Sequence, residues 1–308
     1  MSKIKQSLIH LYSLLNLDRL FLRKTPRVLF YHGVAANIVD AQIETESISA
    51  ADFERQLQYI TKHFKPVSID EFYRKLKDKT FDGDEILLTF DDGYRNMLTT
   101  ALPLLEKYDV PFALFLTVEN IDKGMLFPTT INRLVTLAST VQSGSGDMLK
   151  NARYLKSRPI NQVEVLLGQL ESMISKDEME ALRRRYASIE PLTWDEVRVI
   201  AQSPLCTIGS HCMTHICCHG RQPISEVIRQ FGESRRILSE KLNRACDYLS
   251  YPNGSFTPEV EEVAKQSGYK MAFSTRYEAV DSEKAMAIGR IYVPYNYARF
   301  KYAISRYR

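Results

Sequence analysis

The chain has 308 residues, 44% of them hydrophobic, which is enough for one sizeable core or for a core with an elaborated insertion, so one domain is the expected count. Its 41 basic and 37 acidic residues are spread along the whole length and leave a formal net charge of +4, which excludes the concentrated basic footprint of a nucleic-acid binder. Five cysteines, an odd number, argue against a complete disulfide framework and fit a reducing compartment.

Near the start, Leu8, Ile9, Leu11, Tyr12, Leu14, Leu15, Leu17, Leu20, Phe21 and Leu22 form an apolar stretch flanked by Lys3, Lys5, Arg23 and Lys24. Asn16, Asp18 and Arg19 interrupt it, so the continuous apolar part is too short to cross a bilayer, and no clear small-residue cleavage site comes after it. The expectation for 1–25 is a helical segment packed on the rest of the fold, with shallow membrane attachment as the alternative. Without an export signal, the chain is expected to be cytoplasmic or peripheral at the inner face of the membrane.

Further along, apolar runs of strand length recur at 28–31, 86–90, 112–118, 206–210, 248–251, 270–274 and 288–293. Helical patterns fall between them. Ser49 followed by Asp52 resembles an N-terminal cap, and Phe53, Leu57, Ile60 and Phe64 then recur on one helical face. Helices are also expected at 96–108, where Pro103 would bend or interrupt the run, at 224–243 and at 258–267. The interval at about 119–191 is more polar, passes through Ser143-Gly144-Ser145-Gly146 and reads as an insertion, with amphipathic helices at 163–170 and 178–186. Strands alternating with helices predict an α/β barrel whose ligands collect at one mouth.

Three of these strands run into residues that carry chemistry. The stretch Leu87-Leu88-Thr89-Phe90-Asp91-Asp92-Gly93-Tyr94 places two carboxylates where an apolar run stops, and in a half-buried site they repel unless a cation shares them. Neighbouring side chains on a strand point to opposite sides, so only a break in strand geometry at Gly93 could turn both toward one site. His211 and His215 have the spacing H-x-x-x-H, which on a helical turn puts both rings on one face. With one carboxylate they make three ligands and leave a position open for water or substrate. Alone, the pair fits surface or core histidines as well. The third stretch is Leu249-Ser250-Tyr251-Pro252-Asn253-Gly254-Ser255, a short strand that runs into turn residues. Cys212, Cys217 and Cys218 lie beside His211, His215 and His219, but the paired C-x-x-C spacing of a zinc finger is missing, and small packed side chains are the expectation.

In this order, T-F-D-D-G-Y, S-H-x-x-T-H and Y-P-N-G resemble the polysaccharide deacetylase family, also called the NodB-homology or carbohydrate esterase family 4 domain, from about Arg27 to about Val293. The resemblance implies a distorted (β/α)7 barrel with a helical insertion, in a catalytic domain over 26–308. It implies a metal-dependent hydrolase that removes an N-acetyl group from an amino sugar in a polysaccharide or glycoconjugate precursor. Asp91 matches the general base, and Asp92, His211 and His215 match the metal ligands. The expected cofactor is one divalent ion, zinc by ligand type, with nickel, cobalt or manganese also accepted. Tyr251, Pro252, Asn253 and Gly254 match the motif that faces the substrate, with the backbone N–H of Asn253 as the oxyanion donor.

The chain departs from the commoner members of the family in two places. They use a histidine near the end of the domain as the acid, and no histidine comes after His219 here. A subgroup that includes the poly-N-acetylglucosamine deacetylases carries a Y-H near its start, and His32 in Val28-Leu29-Phe30-Tyr31-His32-Gly33-Val34 matches it. His32 is therefore the implied acid, with His219 as a competitor and a structural strand-end histidine as the plain alternative. Many relatives also have an arginine where this chain has Ser250; Arg290 in Ala287-Ile288-Gly289-Arg290-Ile291-Tyr292-Val293 is the candidate replacement, a plain structural ion pair being the other reading. Phe127, Trp194, Tyr251 and Tyr295 offer faces for stacking on a sugar. Two further functions stay open: deformylation of a lipid-linked amino sugar, and carbohydrate binding without turnover. The second gains ground if His32 lies far from the metal ligands.

Overall fold

The apolar runs become strands of a parallel sheet in the computed structural model, which describes residues 3–15, 17, 18, 22, 24–143 and 154–306. The strands are β1 (Arg27–Tyr31), β2 (Gly33–Ala35), β3 (Ser47–Ser49), β4 (Lys65–Pro66), β5 (Glu85–Phe90), β6 (Phe112–Leu116), β7 (Cys206–Ser210), β8 (Tyr248–Ser250), β9 (Met271–Phe273) and β10 (Ile291–Tyr292). Seven of them run in the order β10-β1-β5-β6-β7-β8-β9, all paired in parallel, with β4 beside the start of β5 and β2 and β3 in a small sheet of their own. Phe273 in β9 bridges to Ile288, and Ile291, three residues on, pairs with Leu29 in β1. That short segment joins the two edges of the curled sheet, and the result is the expected distorted (β/α)7 barrel.

Period-2 alternation distributes the strand residues between two cores. Leu29, Tyr31, Leu88, Phe90 and Leu114 face the larger one, which the helices Ala50–His63, Ile224–Leu242 and Pro258–Gln266 cover with Phe53, Leu57, Phe231, Leu238 and Val260. Val28, Leu87, Ala113, Phe115 and Phe273 face the other way, onto Ile69, Phe72 and Leu76 of helix Ile69–Asp78. Ser49 caps Ala50–His63 by accepting from the Asp52 N–H, as its spacing predicts. Between β6 and β7, the helices Val118–Lys123, Pro128–Ser143, Ile160–Glu171 and Lys176–Arg185 succeed one another, and residues of this segment form a third core with Leu134, Ile174, Tyr186 and Ile43. Gly144, Ser145 and Gly146 lie outside the described residues.

Three expected elements change extent. The run at 112–118 stops at Leu116 because Val118 already begins a helix. The run at 288–293 keeps only Ile291 and Tyr292 as a strand. The expected helix at 96–108 divides into a π-helical turn, Met97–Ala101, and an α-helix, Leu102–Lys107. Pro103 explains the division: it has no N–H and its ring crowds the carbonyl four residues back, so the preceding turn widens and Leu102 N–H donates to Met97, five residues away.

The N-terminal helix Lys3–Leu14 packs against Tyr297–Ser305 through Ile9 and Tyr12, whose hydroxyl lies 3.0 Å from Ser305 Oγ. Asp18 pins the chain just beyond this helix, accepting from Tyr59 at 2.6 Å with Lys301 Nζ at 2.8 Å. Leu8, Leu11, Leu14 and Leu15 remain 50–64% exposed, while Leu20 and Phe21 lie outside the described residues. Among the described residues no helix is long and apolar enough to cross a membrane.

The start of β5 is held by a buried charge. Glu85 accepts from Lys75 Nζ at 2.6 Å and from the backbone N–H groups of Asp82 and Gly83 at 2.9 Å. Burial opposes its ionisation, but these donors outweigh burial and lower its pKa to about 2. A depressed carboxylate contributes stability that is fully present above its unfolded pKa near 4.5 and is lost as the pH falls toward 2. Glu85→Gln is expected to lose about 2–3 kcal/mol at neutral pH in urea titrations. The gap to wild type should narrow as the pH drops below the ordinary glutamate range; a gap that stays constant would show that charge is not its source.

Candidate active site

Strand register sets the site. Tyr31 pairs with Phe90, so His32 and Asp91 leave the sheet side by side, with the Asp91 N–H donating to the Tyr31 carbonyl at 3.0 Å. Leu116 pairs with Ser210 and Ser210 with Leu249, which brings His211 and Ser250 to the same rim. There, His32, Glu46, Asp91, Asp92, His211 and His215 line one cavity of about 270 Å³. This is the mouth at the C-terminal strand ends where a barrel of this kind gathers its chemistry.

Both carboxylates face the cavity because the chain leaves strand geometry one residue earlier than expected. Asp92 itself has φ +75° and Gly93 φ +88°, two left-handed residues in succession. At that φ a side chain is strained, and a Cβ on Gly93 would also stand 2.7 Å from Leu116 Cδ2, which would have to move, so glycine is favoured there.

Asp91 is locked by Arg290. Nη1 donates to Oδ1 at 2.9 Å and Nη2 to Oδ2 at 2.7 Å, a bidentate pair in which the arginine is fully buried. The remaining guanidinium protons go to Thr89 Oγ1, Ser250 Oγ and the Ser274 carbonyl, and the plane lies 4.6 Å from the centroid of Phe30. Burial raises the Asp91 pKa, but the charge of Arg290 outweighs it and holds the carboxyl below the usual range. Arg290 thus stands where its guanidinium orients Asp91, although it precedes β10 rather than lying within a strand. Ser250 joins the pair through its hydroxyl, 3.2 Å from Asp91 Oδ2.

Asp92 Oδ1 lies 3.4 Å from His211 Nε2 and 3.3 Å from His215 Nε2. The helical turn expected for H-x-x-x-H is not formed: Cys212 and His215 have φ +67° and +56°, and the segment is an irregular turn after β7. The two rings still converge, their centroids 4.9 Å apart, because the turn folds back toward β5. His211 Nδ1 is 2.8 Å from the Ser250 carbonyl, which can only accept, so the proton sits on Nδ1 and the Nε2 lone pair faces Asp92. Burial lowers the His211 pKa to about 4, which keeps the ring neutral near pH 7. Asp92 Oδ1 is buried with no hydrogen-bond partner. A buried, unpartnered carboxylate oxygen beside two imidazole nitrogens is a donor set that fits one divalent cation.

His32 lines the same cavity, and its Nδ1 is 3.6 Å from Glu46 Oε2. Arg133, on helix Pro128–Ser143, holds the other oxygen of Glu46 at 3.3 Å. His219 does not line the cavity. The Y-P-N-G motif is only partly at the surface of the site. Asn253 lines the cavity, with φ +56° and its side chain donating to Cys217 Sγ, whereas Tyr251 and Pro252 are buried. Tyr251 stacks on Phe256 and donates to the Met286 carbonyl, so it offers no face to a sugar. Gly254 is packed against Thr275, whose Oγ1 would lie 2.0 Å from an added Cβ. Of the aromatic candidates, Phe127 lines the cavity against His215; Trp194, bonded to Asp122, and Tyr295, bonded to the Thr45 carbonyl, do not. Tyr94, the last residue of T-F-D-D-G-Y, also lines it, a role the motif alone did not assign. Glu46 carried no motif, and its position results from β2 pairing with β3, which joins Gly33 N–H to the Glu46 carbonyl. The five cysteines are free, and none joins the Asp92, His211, His215 group.

A barrel mouth that gathers one free and one arginine-locked carboxylate with two histidines defines a hydrolase-type site. A sequence model of the polysaccharide deacetylases matches residues 78–272, more than half of the chain, and the chain belongs to the polysaccharide deacetylase family. Among solved structures it is similar to IcaB from Ammonifex degensii, with 19% identity, 92% of this chain and 98% of that one covered and a TM-score of 0.64. It is also similar to the Streptococcus pyogenes deacetylase PplD in complex with acetate, with 16% identity, 90% and 96% covered and a TM-score of 0.63. At those identities the likeness is one of fold. A curated relative, YxkH of Bacillus subtilis (strain 168), is 25% identical over 103 residues, 33% of this chain, and the match spans about a third of that relative's length, 36%.

Zinc titration of metal-free protein followed by calorimetry is expected to show one tight site. Asp92→Asn and His211→Ala should each weaken it by more than the roughly 10–100-fold that loss of an outer partner costs. Asp91→Asn should leave it in place; equal weakening by all three would mean that the ligand set is wrong.

Proposed function

We propose that the protein is a metal-dependent N-deacetylase of an N-acetylated amino sugar in a polysaccharide or glycoconjugate precursor. The observation that carries this reading is the arginine-locked Asp91 beside the Asp92, His211, His215 group, with His32 lining the same cavity. Asp92, His211 and His215 would hold the divalent ion, zinc by donor type, which when bound polarises the amide carbonyl and lowers the pKa of water from about 16 toward about 7.

The chain's own residues supply the rest. Asp91, kept anionic by Arg290 and fixed in one orientation by two parallel hydrogen bonds, accepts the proton of the attacking water. The backbone N–H of Asn253 donates to the oxyanion of the tetrahedral intermediate. His32 Nε2 delivers a proton to the leaving amine while Glu46, steadied by Arg133, faces Nδ1 and orients the ring. Buried walls around Asp91 and His211 exclude water from the ion pair, which strengthens these contacts.

The test is acyl release from N-acetylated and N-formylated amino sugars, free and lipid-linked. Zinc-loaded wild type is expected to release acetate, and Asp91→Asn and His32→Ala to lower the rate by about 100- to 10,000-fold with metal content unchanged. Formate release alone would replace the acetyl reading with deformylation, and no release despite a bound metal would favour binding without turnover.

We propose a cytoplasmic protein, with shallow attachment to the inner membrane face as the alternative. For that attachment the support is the exposed apolar stripe of Leu8, Leu11, Leu14 and Leu15, flanked by exposed Arg299 where Leu11 and Leu14 share a groove with it. Flotation with anionic vesicles should carry wild type and not Leu8→Ser/Leu11→Ser/Leu15→Ser; equal flotation would remove the stripe as the anchor.

A further inference from the structure

Beside the catalytic cavity lies a smaller recess of about 40 Å³. Thr129, Lys156, His215 and Asn253 line both, so the two are contiguous. The larger cavity carries the carboxylates of Glu46, Asp91 and Asp92, whereas the recess has Arg158 and the shared Lys156, with no carboxylate among the described residues of its lining. Both cations come from the segment between β6 and β7.

Lys156 is exposed and Arg158 half-buried. Arg133, Arg183, Arg290, Lys75 and Lys301 each meet a carboxylate. Neither Lys156 nor Arg158 forms an ion pair with any described residue, and Arg158 Nε is buried without a hydrogen-bond partner. The guanidinium is nonetheless held in place, 4.0 Å from the centroid of Tyr154, while the Arg158 carbonyl accepts from Gln222. A fixed, desolvated guanidinium proton with no acceptor is an unfavourable arrangement unless a ligand completes it. The walls contributed by Leu155, Ile160, Val163 and Ile216 are apolar, which strengthens any charge-assisted bond made there. By volume the recess takes about three water-sized groups, the bulk of the free oxygens of one phosphoryl.

We propose that Lys156 and Arg158 form a subsite for a phosphoryl group carried by the substrate next to the acylated sugar. This rests on the hydrolase reading for where that sugar sits: an acyl group placed between Asp91 and Asn253 leaves the neighbouring position of the substrate at the shared wall, within the field of both cations. The substrate is then a phosphorylated N-acyl amino sugar, either a soluble sugar phosphate or a lipid-linked sugar diphosphate, rather than an uncharged polymer.

Two measurements test it. In the first, kcat/KM is compared for an N-acetylglucosamine disaccharide, its 1-phosphate and its polyprenyl diphosphate ester, using zinc-loaded wild type and Lys156→Met/Arg158→Met. Wild type should prefer the phosphorylated forms, and the double variant should reduce that preference by about 10- to 100-fold, the range for losing charged hydrogen bonds. A stronger preference for the polyprenyl ester than for the 1-phosphate names the lipid-linked source, and the reverse names the soluble one. An unchanged preference in the variant overturns the subsite.

The second measurement does not depend on turnover. Calorimetry of the disaccharide 1-phosphate against the uncharged disaccharide should show tighter binding of the phosphate to wild type and a loss of that difference in the variant. If no compound is hydrolysed while this difference is present and lost on substitution, the catalytic reading fails and the subsite stands. If the difference is absent, the subsite fails whatever the catalytic result. Lys156→Glu, at an exposed position, repeats the test where Arg158 substitution disturbs folding.

Discussion

The buried pair of Arg290 with Asp91 is the contact on which the site depends. Two carboxylates on consecutive residues would otherwise drive one another toward the neutral form. Arg290 meets Asp91 with two hydrogen bonds and spends its other protons on Thr89, Ser250 and Ser274, so its charge is accounted for on every side. Asp91 is thereby neutralised as a pair and fixed as an acceptor. Asp92 is left with an unpartnered oxygen and two imidazoles, one of which is held neutral by burial while its bond to the Ser250 carbonyl fixes the tautomer. One guanidinium thus divides two adjacent, chemically identical residues into different environments, one suited to proton transfer and the other to a cation.

Backbone conformation shows where the fold concentrates strain to do this. Seven non-glycine residues among those described have positive φ. Lys79 and Asn243 are helix C-caps, where a left-handed residue is ordinary, and Asp109 closes the turn after Leu102–Lys107. The other four, Asp92, Cys212, His215 and Asn253, all belong to the segments that carry the site. Each unusual conformation is uphill by about 1–3 kcal/mol and persists only when its surroundings fix it. Here the surroundings are the parallel strands that end just before each of these turns.

Much of this was legible in the sequence because the informative residues are local. The strands announce themselves as apolar runs, and T-F-D-D-G-Y, S-H-x-x-T-H and Y-P-N-G each combine a strand end with its chemistry in a few consecutive positions. The features that could not be read depend on pairings remote in sequence. β2 and β3 have three residues each, too short for a periodic signal, yet their pairing carries Glu46 to His32. Spacing put His211 and His215 on a helix, but spacing of four is also met by a turn with two left-handed residues, and nothing in the composition distinguishes the two. Tyr251 was misplaced for a related reason: the chain turns inward after β8, and its ring is needed in the core against Phe256.

The segment between β6 and β7 gives the mouth its asymmetry. Barrel strands and their loops contribute the acidic wall of Glu46, Asp91 and Asp92, while the segment between β6 and β7 contributes Phe127 and Lys156 to the same cavity and, beyond it, Arg158. The segment can do this without disturbing the barrel because it has its own core, including Leu134, Ile174 and Tyr186, and is tied down at its exit by the Arg95 N–H on the Glu190 carbonyl and by Leu192 N–H on the Gly93 carbonyl. The second tie is the telling one. It fastens the exit of the segment to the glycine that turns both carboxylates toward the cavity, so the elements that shape what enters the mouth and those that act on it share one backbone hydrogen bond. Changes within the segment's own core can therefore alter the charge and shape of the recess while the strand register that holds Asp91, Asp92 and His211 stays as it is.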